Sequence, residues 1–92
     1  MEVERFTIQA CCGRTSLILR TDQPLTKEIL NALVSLGFKE AVHFTKAGML
    51  WVDNIDLIVS GPLGADKLQV KCKKSNCDQK LTEFENLLKT IG

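Results

Sequence analysis

The segment from Leu25 to Phe38 constrains the fold of this chain more than any other. Leu25, Ile29, Leu30, Leu33, Val34 and Leu36 recur at helical spacing, with Lys27, Glu28, Asn31 and Ser35 between them. The periodicity predicts an amphipathic helix that must bury one stripe against something else. Each end carries its own signal. Thr26 can accept from the free N–H groups of the first turn, and Leu25 before it can pack on Leu30 as a hydrophobic staple. Gly37 suits the left-handed residue that ends a helix, and Phe38 is placed to fold back on Leu33.

On both sides of this helix the period becomes that of strands. Over residues 5–12, Phe6, Ile8, Ala10 and Cys12 fall on one face and Thr7, Gln9 and Cys11 on the other, as in a half-buried strand. Gly13-Arg14-Thr15 interrupts the run, and Ser16 to Arg20 reads as the second arm of a hairpin. After the helix, strands are expected at about 41–45, 49–52, 55–60 and 67–73, joined as an antiparallel meander. Lys46-Ala47-Gly48, a two-residue turn at Asp53-Asn54 and the loop from Gly61 to Asp66 connect them. A second helix at about 77–91 carries Leu81, Phe84, Leu87, Leu88 and Ile91 on one stripe, with Asn76 and Gln79 spaced as a capping box.

The expected fold is therefore α+β in the order ββαββββα, one domain over residues 1–92. A curved antiparallel sheet, made of the N-terminal hairpin and the four-strand meander, carries both helices on one face and buries both stripes. This element order resembles TATA-binding-protein-like domains and helix-grip folds, a likeness of topology that carries no function. If two of the short strands merge, a ferredoxin-like sandwich is the alternative.

Composition narrows the function classes. Of the 92 residues 45% are hydrophobic and 25% charged, the balance of an ordinary globular domain. A net charge of +1 supplies no global field toward nucleic acid or an anionic membrane. No apolar run approaches the length of a membrane span. The acidic start, Met1 to Arg5, has no apolar signal region, so a cytoplasmic location is expected. There, cysteines are thiols or metal ligands more often than disulfides.

Four cysteines are the side chains best suited to bind a metal or cycle redox state: Cys11, Cys12, Cys72 and Cys77. Four thiolates can complete a tetrahedral zinc site, and both pairs flank turns. Only Cys72 and Cys77 have knuckle spacing, and adjacent cysteines on a strand point to opposite faces. The phase of the strands offers a simpler role: Cys12 is in step with Phe6 and Ile8, and Cys72 with Leu68 and Val70, as small core residues. Cys77 differs. At the first turn of the last helix, near Lys73, Lys74 and Lys80, it is the candidate reactive thiol, with Cys72 as resolving partner.

The remaining candidates lie on the sheet face away from the helices. Alternation sends Phe44, Leu50, Val52, Ile55, Leu57, Val59, Leu68 and Val70 inward. It sends His43, Thr45, Met49, Trp51, Ile58, Lys71 and Lys73 outward, beside Ile18 and Arg20. An outward set with the sole Trp, a Met and an Ile among basic side chains exceeds what a solvated face needs. A protein partner or a second copy of the chain would bury Trp51, Met49 and Ile58 within a polar rim. Single-stranded nucleic acid, the less favoured partner, would stack a base on Trp51 with Arg20, Lys71 and Lys73 near phosphates. Lys67, Lys71 and Lys73 alternate on one strand, which reads as a solvated row discouraging edge-to-edge pairing.

No carboxylate pair, His–carboxylate couple or phosphate loop can be assembled, so catalysis is not expected. The sequence thus points to a small binding or adaptor module using Trp51, Met49, Ile58, Lys71, Lys73 and Arg20. The competing reading is a zinc-binding or thiol-redox protein built on the four cysteines.

Overall fold

The computed structural model describes residues 2–11, 14–73 and 78–91; of the side chains, those of 7–11, 14, 15 and 78 lie outside the description. It is an α+β molecule with one antiparallel sheet of six strands. The first helix, α1 (Lys27–Ser35), forms as its signals predict: Thr26 accepts from the Ile29 N–H, and Gly37 ends the helix at φ +104°. The Phe38 N–H returns to the Leu33 carbonyl at 3.1 Å, which closes the last turn and buries the Phe38 ring.

Strands β1 (Val3–Cys11) and β2 (Arg14–Thr21) form the expected hairpin. The meander comprises β3 (Lys39–Glu40), β4 (Met49–Asp53), β5 (Leu57–Pro62) and β6 (Lys67–Cys72). The sheet order is β1-β2-β6-β5-β4-β3, so β2 and β6 join hairpin to meander through pairs such as Leu17 with Val70. The last helix, α3 (Asp78–Lys89), closes the chain. The capping box at Asn76 lies outside the described residues.

One face of the sheet is the core. Leu17, Leu19, Leu50, Val52, Leu57, Val59, Leu68 and Val70 are buried, and against them lie Ile29, Leu30 and Leu33 of α1 and Leu81, Phe84 and Leu88 of α3. Phe38 and Phe84 meet edge to face at 5.5 Å between ring centres, tying the two helices together. Arg5 reaches over this side to Glu85, Nε to Oε1 at 3.0 Å.

Four expectations need correction. The strand over 41–45 is instead a short helix, α2 (Val42–Lys46), and only Lys39–Glu40 pairs with β4. Gly48, at φ +87°, ends it by donating to Thr45. His43, Phe44 and Thr45 therefore ride a helix, and Phe44 is exposed rather than inward. Ile55 is also exposed, because the turn runs through it. Asn54 Oδ1 accepts from Asp56 and Leu57 N–H at 2.8 and 2.7 Å, so β5 starts only at Leu57. Phe6 leaves the inward row: a register shift between Arg5 and Thr7 turns its ring to the other face, 54% exposed. Finally, β6 is an interior strand between β2 and β5, so its lysines guard no edge.

Candidate functional site

The face of the sheet opposite α1 and α3 carries the predicted set in transverse rows fixed by the strand register. Ile18, Gln69, Ser60 and Trp51 are successive cross-strand neighbours over β2, β6, β5 and β4. The next row is Ser16, Lys71, Ile58, Asp53 and Lys39. On the other flank Lys67 pairs with Arg20, and Met49 with Pro62. Inward neighbours Leu50 and Val52 fix the phase of β4, so Met49, Trp51 and Asp53 face out. The same argument from Leu68, Val70 and Cys72 turns Lys67, Gln69, Lys71 and Lys73 to this side.

Trp51 does not stand alone. Phe44 of α2 lies over it, ring centres 4.4 Å apart and planes within 17°. Trp51 is half-buried beneath, while Phe44 and Val42 remain largely exposed. The amide of Ala41 donates to the Trp51 carbonyl at 2.9 Å and fixes α2 at this edge. At the opposite edge the Lys67 ammonium sits 4.4 Å from the centre of the Phe6 ring. Sequence reasoning missed Phe44, Phe6 and Lys39 as members of this face, and read Lys67 only as one of a solvated lysine row. The basic last turn of α2 before Gly48 signalled a helix end; the shift at Phe6 left no signal in the alternation.

The charges divide into paired and unpaired sets. Lys73 Nζ is 2.7 Å from Asp53 Oδ2, and Arg20 Nε is 3.4 Å from Asp66 Oδ2, both partly solvated and each worth little to stability. Among the described residues, Lys39, Lys67 and Lys71 make no salt bridge. His43 is exposed on α2.

Cys72, the last residue of β6, is buried in the core and disulfide-bonded. The side chains of Cys11, Cys12 and Cys77 lie outside the described residues. Because Ser16 of β2 pairs with Lys71, the end of β6 lies beside the start of β2. A sulfur held in a disulfide offers no thiolate to a metal. Among the described residues, no three His, Cys, Asp or Glu side chains are grouped to hold an ion.

A concavity of about 1040 Å³ lies at the other end of the sheet, where Glu2, Glu4, Arg20, Asp22, Asp66 and Lys89 contribute to its wall. Several of its polar groups satisfy one another: the Glu2 amide donates to Asp22, and Arg20 pairs with Asp66. Thr21, buried beneath, donates to the carbonyls of Gln23 and Asp66. Of the predicted site residues only Arg20 touches it. No helix among the described residues is long and apolar enough to cross a membrane. The chain matches no protein-family model, no curated protein and no solved structure.

Proposed function

We propose that the protein is a small non-enzymatic binding module that docks a protein surface on its open sheet face. The observation that carries this reading is the Phe44–Trp51 stack. Two large aromatic side chains sit on the face that α1 and α3 leave uncovered, which also carries Val42, Met49, Ile58 and, three strands away, Ile18. A ring 43% exposed above a half-buried Trp gives the fold little and gives a partner an apolar anchor. Protein fits this surface better than nucleic acid. Phe44 occupies one face of Trp51, and Lys67 one face of Phe6, whereas a base platform needs free ring faces.

The test is differential capture from the source cell, using wild type, Phe44→Asp and a control, Lys27→Asp, on α1. A partner retained by wild type and control but lost with Phe44→Asp supports the reading. Purified, that partner should change the emission of Trp51. Equal retention by all three proteins contradicts it.

The likeness to TATA-binding-protein-like or helix-grip topology is likewise our inference from element order. A second reading rests on Cys72, whose disulfide belongs to a thiol-redox protein, or after reduction to a zinc site shared with Cys11, Cys12 and Cys77. A cytoplasmic protein would hold Cys72 mainly as a thiol. Metal content and a thiol count after purification without chelator or added oxidant test both. One zinc with four protected thiols supports the metal role. A cross-linked Cys72 peptide with no zinc leaves the disulfide as a structural or redox element.

A further inference from the structure

We propose that the partner presents an acidic amphipathic helix, laid across the strands along the row Ile18–Gln69–Ser60–Trp51. The inference rests on the open-face reading above and names the chemistry of the partner. The row is apolar at its ends, Ile18 and the Phe44-capped Trp51, and lower at its centre, where Ser60 is the smallest member and is buried. Cations without a salt bridge among the described residues flank it on both sides. Lys71 and Lys39 stand in the row on one side, and Lys67 beside Arg20 on the other. Asp53 and Asp66 on these flanks are already paired with Lys73 and Arg20, while Glu4, cross-strand from Arg20 at the β1 edge, makes no salt bridge among the described residues and offsets part of the charge beside Lys67.

The spacing suits a helix. Lys67 and Lys71 are four residues apart on β6, about 13 Å at strand rise, and a helix with its side chains is about 10–12 Å across. A helix lying between them sets its apolar stripe on Ile18 and the aromatic pair, and turns side chains on both flanks toward ammonium groups. Acidic residues there complement the charge; basic ones repel it. Three separated lysines are too sparse to follow a nucleic-acid backbone charged at every nucleotide.

The experiment titrates the isotope-labelled full chain with three probes, following backbone amide shifts and Trp51 emission. The probes are a synthetic helical peptide with a leucine stripe flanked by glutamates, the same peptide with lysines in those places, and oligothymidylate. The expected result is that the glutamate peptide shifts Ile18, Gln69, Ser60 and Trp51, with affinity falling as salt rises. The double variant K67E/K71E should lose at least about tenfold in affinity for it and gain affinity for the lysine peptide, which excludes misfolding as the cause. Equal binding of both peptides overturns the charge assignment and leaves the docking face standing. Tighter binding of oligothymidylate overturns it in favour of nucleic acid. If no probe shifts the row while capture remains sensitive to Phe44→Asp, this inference falls alone. If capture is insensitive as well, both readings fall.

Discussion

Gly61 sits where β5 passes closest to Leu25. A Cβ there would lie 2.7 Å from both Leu25 Cδ1 and the Lys67 carbonyl oxygen. Leu25 cannot swing aside, because it is buried and its backbone is pinned to Ala65 and Gly64 by hydrogen bonds of 2.8 Å. Gly61→Ala should therefore lower stability by about 1–3 kcal/mol, seen as a lower urea midpoint with an unchanged slope. An unchanged midpoint would mean that β5 shifts freely. This constraint is invisible in the sequence, where Gly61 reads only as part of a turn, because it depends on a chain segment 36 positions away. Thr26 and Gly37 were legible for the opposite reason: caps are local, and each acts within a few residues. Asn54 falls between. Its turn role was legible, but the side-chain bonds to Asp56 and Leu57 that delay β5 were not.

Among the elements, α2 departs most from the expectation. Five residues, Val42 to Lys46, make too short a run for period to decide, and Val42, Phe44 and Thr45 all favour strands. What selects the helix is tertiary: Ala41 bonded to Trp51, Gly48 in a left-handed turn and the Phe44 ring over Trp51. Removing that ring tests the element directly. Phe44→Ala should cost only about 1 kcal/mol, the order of one aromatic pair, while making Trp51 emission redder and more accessible to acrylamide. Unchanged quenching would mean that Phe44 does not cover Trp51 in solution. The longer elements α1 and α3 were readable because a stripe repeated over two or more turns outweighs individual residues. β1 was readable as a strand, though it starts at Val3, and the register shift takes Phe6 out of the expected inward row while Ile8 still pairs with inward Leu17.

On the scale of the whole molecule, the sheet separates two tasks. The face under α1 and α3 holds the buried core, and the other face carries the half-buried Trp51, Met49, Ile58 and Ile18. The sequence placed all four on the outer face, with Lys71, Lys73 and Arg20, because burial on one side imposes alternation on the other. It could not reveal how this face is dressed, since Phe44, Phe6 and Lys39 arrive there through a short helix, a register shift and a two-residue strand. Nor could spacing alone show that Cys72 is both a core residue and half of a disulfide. If that disulfide persists, alkylation of the unfolded protein should label no more than two of the four cysteines before reduction and all four after it; four labelled before reduction would place Cys72 as a thiol.

The central claim is that the open face serves binding rather than stability, and Trp51→Ala separates the two most directly. Urea unfolding of the variant should show a loss of no more than about 2 kcal/mol, against about 3–5 kcal/mol for an aromatic side chain of a packed core. Its circular dichroism should remain that of the wild type while partner capture disappears. A variant that unfolds, or one that binds as before, would contradict the account.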